Sequence, residues 1–299
     1  MLDIERIARQ DRWLRALTGL NVQAFVHLLV PFYEAYSEAE QRELKPRKRA
    51  RGGGRKARLK AMDVKLFFIL FYLKCYPTFD LLGILFDLDR SQANRWVHRL
   101  QPILEKALGK KMVLPERKLE SIEQFLQKFP NVTQVMIDST ERPIVRPQDA
   151  EQQKLNYSGK KKQHTRKHLA VVDQNKRLLV LTAAREGKVH DKRLLDEMKL
   201  VQAIPTPIPI AVDLGFLGLQ NEYENIAIPY KKSKKQPLSD HQKQENQCLS
   251  RHRVKCEHAF SGIKRYNAIS SIYRNRIEAF DDRLMVTAAG VWNFYLMAA

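Results

Sequence analysis

Two short apolar runs, far apart in the sequence, each end in an aspartate. The first is VTQVMID (132–138), which stops at Asp138, and the second is IPIAVD (208–213), which stops at Asp213. Apolar runs of this length suit buried strands, and the carboxyl ends of strands line the functional crevice of an open α/β sheet. The sequence therefore predicts a sheet that brings two distant carboxylates to one edge.

The chain from about residue 131 onward has the texture of a sheet domain. A helix that Asp191 would cap follows the central strands, and a final apolar helix over 280–297 is expected to pack on the sheet. This half predicts a mixed sheet flanked by helices, in the α/β or α+β class. The other candidate strands are PIVRP (143–147), HLAVVD (168–173), RLLVLTAA (177–184) and NIAIPY (225–230).

The N-terminal part of the chain, in contrast, has helical periodicity throughout. Residues 62–105 predict a compact unit of three helices, the first capped by Asp63 and the last capped by Ser91. A helix, a short turn and a capped helix with a polar outer face indicate a helix-turn-helix that enters the major groove. An ordinary three-helix bundle with solvated charges is the alternative. The residues expected to face DNA are Ser91, Gln92, Arg95 and Arg99.

The chain carries a formal charge of +20, which favours a polyanionic partner. The segment KPRKRARGGGRKARLK (45–60) concentrates this charge and cannot build a core. It is expected to contact phosphates or a minor groove, with a solvated tether as the alternative. Its candidate DNA-binding residues are Arg47, Lys48, Arg49, Arg51, Arg55, Lys56 and Arg58.

A second basic segment, NYSGKKKQHTRKH (156–168), combines clustered cations with aromatic rings. A tyrosine that can stack and several lysines suit a DNA end or an unpaired base, whereas a plain solvated hairpin loop is the alternative. The candidate contacts are Tyr157, Lys160, Lys161, Lys162 and His164.

Asp138 and Asp213 would repel each other unless they shared divalent cations. Mg²⁺, with Mn²⁺ as the substitute, suits such a site because it accepts one or two carboxylates and leaves positions for a phosphate. Two ions about 4 Å apart would activate a water or a 3′-hydroxyl. Glu257, on a helix, would supply a third carboxylate. Taken alone, however, such aspartates are also common as turn formers or caps, and a helical glutamate is commonly solvated.

Cysteine and histidine chemistry is not expected. Cys248, His252 and Cys256 recur over two helical turns, about 12 Å of rise, so they cannot all reach one zinc ion. Three cysteines are too few for a disulfide framework, which favours a reducing cytoplasm. The longest apolar run, LFFILFYL (66–73), is too short to span a bilayer, so no membrane partner is expected.

Several motifs, in this order, resemble a known family: LTGLNVQAF, the basic arm, YPTFDLLGILFDLDRSQANRWVHRL, MIDSTERPI, NYSGKKKQHTRKH, GKVHDKRLL, AVDLGFLG and RHRVKCEHAFSGIKRY. The chain is similar to DDE transposases of bacterial insertion sequences, of the insertion-sequence-five-like and Harbinger-related branch. The resemblance implies a ribonuclease-H-like fold in which Asp138, Asp213 and Glu257 hold the metals. It also implies that Lys264 and Arg265 bind transposon ends and that the helix-turn-helix recognises terminal inverted repeats.

The resemblance therefore implies a bacterial, nucleoid-associated transposase. Such an enzyme would cut element ends and direct the freed 3′-hydroxyl into target DNA, acting as a homodimer or higher oligomer on DNA. The expected organisation is a helical segment with a basic arm (1–60), a helix-turn-helix domain (61–125) and a catalytic domain (126–299). The alternatives are a transposase-derived DNA-binding regulator without nuclease activity and a structure-selective nuclease on the same fold.

Overall fold

The computed structural model of the chain describes residues 2–42, 58–232 and 237–298. It divides into two compact units, which are described separately. The helical unit comprises residues 1–114, 263–271 and 276–299, and the sheet unit comprises residues 115–262 and 272–275.

The helices follow the apolar periodicity of the sequence, and the strands follow the short apolar runs of the central region. The helices are α1 (Ile4–Ala8), α2 (Asp11–Thr18), α3 (Val22–Arg42), α4 (Met62–Cys75), α5 (Phe79–Phe86), α6 (Arg90–Lys110), α7 (Ile122–Lys128), α8 (Ala150–Asn156), α9 (Asp191–Met198), α10 (Asp240–Lys264), α11 (Asn267–Ser270) and α12 (Phe280–Ala298). The strands are β1 (Val135–Pro143), β2 (Tyr157–Ser158), β3 (Gln163–Asp173), β4 (Leu178–Leu181), β5 (Arg185–Glu186), β6 (Ile210–Ala211) and β7 (Ile226–Ala227).

An aromatic cluster organises the core of the helical unit. Phe86 of α5 is fully buried, and its ring centroid lies 4.9 Å from that of Phe68 and 6.2 Å from that of Phe67, both on α4. Because α4 is apolar on all its faces, it is buried on all sides, as expected of a central helix. The cluster thereby fixes α5 against α4, and α6 is the third helix of this arrangement.

The turn between α5 and α6 is tight. Thr78 caps α5 by accepting a hydrogen bond from the amide of Leu81, and α5 ends at Asp87 in the left-handed region (φ 55°). A Cβ on Gly83 would lie 2.5 Å from the carbonyl oxygen of Leu88, so only glycine allows this close approach. The predicted helix, short turn and second helix are therefore present at the expected place.

Two predicted caps of this region are wrong. The N-cap of α6 is Asp89, and Ser91 lies inside the first turn of the helix. The N-cap of α4 is Ala61, because α4 begins at Met62, and the Asp63 carboxylate accepts instead from the adjacent amide of Val64. Both helices begin slightly earlier than the capping residues suggested.

The final helix, α12, belongs to the helical unit, so the expectation that it packs on the sheet is wrong. Buried polar groups explain its position. The Gln101 side chain donates to the hydroxyl of Thr287 (2.9 Å), and the Asn293 side chain donates to the carbonyl of Val113 (2.9 Å). A buried hydroxyl or amide is costly without a hydrogen bond, and these residues find their partners among the helices.

The sheet unit contains a mixed sheet in the order β2-β3-β1-β6-β7, with β4 and β5 also paired to β3. Strands β1, β3 and β4 pair antiparallel, whereas β1, β6 and β7 pair parallel. The predicted class is confirmed: a helical region that includes a helix-turn-helix precedes a mixed α/β sheet flanked by helices.

Strand β1 is longer than the sequence pattern indicates. It continues through Asp138 to Pro143 because β3 pairs with it along its whole length, from Val135 opposite Asp173 to Pro143 opposite Thr165. The separate strand predicted at 143–147 is absent; beyond β1, the amide of Ile144 donates to the carbonyl of His164 (3.0 Å), and Ile144 forms an isolated bridge with Tyr273. Asp138 therefore lies inside a strand and not at its end.

The sheet core is built from the apolar side chains of β1, β3 and β4, which pack against α7 and α9. Within the described part of the chain, no single helix is long and apolar enough to cross a membrane; the bent pair 11–18 with 22–41 meets that test by length and composition only.

Candidate active site and nucleic-acid interface

The parallel pairing of β1 with β6 brings Asp138 and Asp213 together. Val135 pairs with Ile210 and Met136 with Ala211. Asp138 and Asp213 each follow their last paired residue by two positions, so they leave the strand pair on the same face and at the same level. The pairing of β1 with β6 in the middle of the sheet thus brings together two carboxylates that are 75 positions apart in the sequence.

The electrostatics of the pair agree with this geometry. The pKa of Asp138 is raised from 3.8 to about 6, chiefly by burial and also by the charge of Asp213, while the amide of Ser139 and the charge of Arg253 oppose the shift. A buried carboxyl whose ionised form is opposed by a neighbouring carboxylate, as at Asp138, is typical of a site that receives a cation.

Each aspartate is held by its own backbone. Oδ1 of Asp138 accepts from the amide of Ser139 (2.7 Å), and Oδ1 of Asp213 accepts from the amide of Gly215 (2.8 Å). Asp213 therefore does cap a turn, the short 3₁₀ helix Leu214–Phe216, as the alternative interpretation proposed. Because only Oδ1 of each residue makes these bonds, the turn role and a ligand role for Oδ2 are compatible.

Glu257 lies on α10 and is exposed. Its charge nevertheless affects a buried residue that the charges of Asp138 and Asp213 also affect. Burial is the main cause that raises the pKa of the Cys256 thiol, and the charges of the three predicted carboxylates, Asp138 first, raise it further. The three acids therefore all lie near enough to act on this one buried thiol. A hydrogen bond of 3.0 Å between the Gln134 side chain and His252 Nδ1 ties α10 to the segment that leads into β1.

The donors present suit a divalent cation that binds by few protein ligands. No three His, Cys, Asp or Glu side chains of the described residues are near enough to one another to hold a metal ion unaided. Mg²⁺ does not require such a cage, because one or two carboxylates, waters and a substrate phosphate complete its shell. A side chain on Gly215 would fill the space beside Asp213, since a Cβ there would lie 2.8 Å from Oδ1 of that aspartate.

Sequence reasoning missed the buried ion pair that Asp191 makes. The predicted cap is wrong, because His190 caps α9 and Asp191 occupies its first helical position. Asp191 instead pairs with the buried Lys167 (2.8 Å), and its charge raises the pKa of Asp138. The strand alternation of β3 held a signal, because Lys167 lies on the same face as the buried Thr165 and Leu169 and thus required a buried partner.

The residues considered for zinc have other positions. Cys256 is buried, Cys248 is exposed and His252 bonds to Gln134. The three side chains therefore lie in different surroundings: one is buried, one is exposed and one is hydrogen-bonded to another residue.

The basic segment at 156–168 forms a tight hairpin of β2 and β3. Tyr157 pairs with His164, and their rings meet edge to face at 5.7 Å. Lys160, Lys161 and Lys162 occupy the turn and are exposed. The hairpin therefore presents three cations at its tip above an aromatic pair, and a DNA role for these residues remains a prediction.

The helix-turn-helix carries a cleft of about 960 Å³ between α5 and α6. The lining cations are Arg58, Arg90, Arg95 and Arg99, and Gln92 lies among them. Arg95 and Ser91 are exposed, whereas Arg99 forms an ion pair with Glu40 at 3.6 Å. Arg95 and Gln92 are thus the side chains best placed to reach a base edge, and Arg58 pairs with Asp87 at 2.7 Å.

The remaining predicted DNA contacts differ in what the structure says of them. Arg265 donates to the carbonyl of Gly19 (2.9 Å), and its guanidinium carbon lies 4.4 Å from the centroid of the Tyr295 ring. The sequence motif does not predict these contacts of Arg265 within the helical unit. Lys264, its neighbour in the motif, is exposed. Arg47, Lys48, Arg49, Arg51, Arg55 and Lys56 lie outside the described residues.

Comparisons with known proteins agree with this arrangement. Residues 137–293, more than half of the chain, match the family described as "DDE superfamily endonuclease". Residues 58–110 match the family described as "Helix-turn-helix of DDE superfamily endonuclease". The chain therefore belongs to the DDE superfamily endonucleases, and both matched regions imply DNA binding.

One relative is informative because the similarity extends over nearly all of both chains. The chain is 27% identical over 285 residues, 95% of each protein, to the protein named "Probable transposase for insertion sequence element IS702" of Microchaete diplosiphon. No solved structure matches the chain. The family resemblance deduced from the motifs is thus confirmed, as is the helix-turn-helix interpretation of the region around residues 62–105. DDE superfamily endonucleases use divalent metals in general.

The raised pKa of Asp138 predicts a pH-dependent cost to stability. A carboxyl with a higher pKa in the folded chain takes up a proton on folding, so the stabilisation present at low pH is lost as the pH rises through about 6. Asp138→Asn should therefore increase the free energy of unfolding of the metal-free protein at pH 8 by about 1–2 kcal/mol, after allowance for partial solvent access. The difference should shrink as the pH falls toward 4. Urea unfolding in EDTA measures it.

Asp240→Asn is the control for this experiment, because the Asp240 side chain is 93% exposed. It should shift stability little at either pH. An Asp138→Asn variant that is less stable than wild type at pH 8 would contradict the electrostatic description of the pair.

Proposed function

We propose that this protein is a transposase that cuts DNA at the ends of a bacterial insertion sequence and joins the freed 3′-hydroxyl to target DNA. The observation that carries the proposal is the placement of Asp138 beside Asp213 on parallel strands in a chain that belongs to the DDE superfamily endonucleases. The similarity to a protein named as a transposase, over 95% of both chains, supports transposition over cleavage alone.

In the proposed site, Asp138, Asp213 and Glu257 hold divalent cations, with Mg²⁺ as the physiological ion, Mn²⁺ as its substitute and two ions in each site. When bound, the cations lower the pKa of the attacking hydroxyl and stabilise the departing oxygen. Asp138 and Asp213 supply the oxygen donors from a fixed strand pair, which orients them before substrate arrives. Glu257 approaches from α10, so its side chain has the freedom to adjust when DNA is present.

Cations of the chain hold the DNA in this proposal. Arg253, one helical turn before Glu257, lowers the pKa of Asp138 and thus lies close enough to act on a phosphate there. The hairpin lysines and Lys264 add sequence-independent contacts, as does the basic arm. Arg95 and Gln92 on α6 read the terminal repeats in the major groove. Because the substrate is DNA, the protein would act in the bacterial cytoplasm at the nucleoid, and pairing of two ends requires at least a dimer.

Removing a proposed metal-binding carboxylate should abolish cleavage and spare DNA binding. Asp138→Asn, Asp213→Asn and Glu257→Gln should each lower the rate of Mg²⁺- or Mn²⁺-dependent end cleavage by at least about 100-fold, since each removes a donor to the cations. Labelled DNA that carries the ends of the element reports nicking, strand transfer and, in a gel-shift assay, affinity.

Asp240→Asn, at the first residue of the helix that carries Glu257, is the matched control and should cleave normally. Cleavage by Asp138→Asn at the wild-type rate would refute the assignment of the site. A wild-type protein that binds the ends but neither nicks nor joins them would instead identify a transposase-derived regulator, and cleavage of branched DNA without joining would identify a structure-selective nuclease.

Arg95 should carry sequence recognition. Arg95→Ala should weaken binding to the element ends by about 1–3 kcal/mol and leave binding to unrelated DNA nearly unchanged, because an arginine that contacts a base edge discriminates between sequences. Fluorescence anisotropy with end DNA and scrambled DNA at one salt concentration measures both affinities.

Lys110→Ala is the control for Arg95, since Lys110 lies on the same helix but pairs with Glu34 (2.8 Å) and Glu38 (2.7 Å) of α3. It should leave the ratio of the two affinities unchanged. Equal losses on end and scrambled DNA for Arg95→Ala would show that Arg95 contacts only the phosphate backbone.

A further inference from the structure

The part of α10 that precedes Glu257 is held by hydrogen bonds and not by buried apolar side chains. Of the described residues 240–255 of this helix, none is buried, and the first buried side chain along α10 is that of Cys256. A helix segment without a buried face gains little from the hydrophobic effect. The orientation of this segment therefore depends on the polar contacts that it makes with its neighbours.

One polar contact joins α10 to the strand that carries Asp138. Gln134 immediately precedes β1, and its side-chain Nε2 lies 3.0 Å from Nδ1 of His252. An amide nitrogen can only donate, so the ring nitrogen of His252 accepts this hydrogen bond. Asp138 follows Gln134 by four positions, and Glu257 follows His252 by five. The bond thus links two elements that each carry a carboxylate of the proposed site.

A second polar contact joins α10 to the chain that follows β7. The Asn246 side chain accepts from the amide of Tyr230 through Oδ1 (2.8 Å) and donates to the carbonyl of Tyr230 through Nδ2 (3.0 Å). Strand β7 pairs with β6, the strand that leads to Asp213. Because both bonds must be satisfied at once, this contact fixes the direction of the amide as well as its position.

Together these two contacts, the polar anchors of α10, fix the rotation of the helix about its axis. At 3.6 residues per turn, His252 lies about 120° around the helix from Asn246, so the anchors lie on different faces. Glu257 lies 11 positions after Asn246, which places it within about 20° of the same face. It also follows the buried Cys256 directly, so it lies where the anchored segment meets the buried one.

We propose that Gln134 and Asn246 are positioning residues of the proposed active site, because the polar anchors set the rotation of α10 and thereby the position from which Glu257 extends. This inference rests on the proposed function and extends it, since neither residue belongs to the three-carboxylate pattern. Gln134 acts through His252, and Asn246 acts through the backbone of Tyr230. Neither side chain contacts DNA or a cation in this arrangement.

Single-turnover cleavage of element-end DNA by the full-length protein in Mg²⁺ tests the proposal. Gln134→Leu keeps a side chain of similar size but removes the hydrogen bond to His252. The cleavage rate at saturating DNA should fall by about 10- to 100-fold, the effect of a small misplacement of a catalytic group. The affinity for end DNA should not change, because neither anchor contacts DNA.

Two further variants show whether the hydrogen bond itself is responsible. His252→Gln replaces the ring but keeps an acceptor for Gln134, so it should cleave at close to the wild-type rate. Gln244→Leu makes the same substitution as Gln134→Leu at an exposed position of α10 and should also cleave normally. A loss of end-DNA affinity as large as the loss of rate in Gln134→Leu would show a general effect on the fold and would overturn the proposal.

Asn246→Ala tests the second anchor and replaces Gln134→Leu if that variant does not fold. It removes both hydrogen bonds to Tyr230 and should lower the cleavage rate in the same way. Amide hydrogen exchange without DNA gives a readout that is independent of cleavage. Exchange over residues 246–255 should be faster in both anchor variants than in the wild type. A wild-type cleavage rate or unchanged exchange in either folded variant overturns the role of that residue.

Glu257→Gln separates this inference from the proposed function. If Glu257→Gln abolishes cleavage while Gln134→Leu and Asn246→Ala cleave normally, only the positioning role is refuted. A wild-type protein that does not cleave, or a Glu257→Gln variant that cleaves at the wild-type rate, refutes the proposed function at this site. The positioning role is then refuted with it.

Discussion

The parallel pairing of β1 with β6 is the constraint on which the active-site arrangement depends. It is a short pairing, with Val135 opposite Ile210 and Met136 opposite Ala211, yet it sets the spacing of Asp138 and Asp213. Because side chains alternate along a strand, a shift of the register by one residue would turn one carboxylate away from the other. The long antiparallel partner β3 stabilises β1 along its whole length and so protects this register.

The surroundings of Asp138 oppose the ionisation of its carboxyl, and this is consistent with a binding site. Burial and mutual repulsion raise the pKa of Asp138 to about 6, near the neutral range in which a cation would bind. The charge of Asp191 adds to the effect, whereas that of Arg253 opposes it. A divalent cation would favour the ionised carboxylate of Asp138.

Much of this could be predicted from the sequence because the relevant signals were local. Apolar runs that end in Asp138 and Asp213 indicated strands, and the polar face of α6 after a short turn indicated a helix-turn-helix. The position of α12 and the role of Asp191 could not be predicted in the same way. Both depend on partners distant in sequence: Gln101 for α12, and Lys167 for Asp191.

Arg265 illustrates the same limit from the opposite side. Its motif predicts a contact with DNA, and this role stays a prediction; in the structure its guanidinium lies against Tyr295, Trp292 and Tyr266 in the helical unit. Charge and position in a motif do not reveal whether a cationic side chain already packs against aromatic rings, since that depends on which aromatic side chains tertiary folding brings around it.

The most direct test of the central claim is the location of Mn²⁺ in crystals of the protein, measured by anomalous diffraction. The account predicts an anomalous peak bounded by the carboxylates of Asp138 and Asp213. Saturating Mn²⁺ that gives no peak at these two aspartates, while other sites on the molecule are occupied, would contradict it.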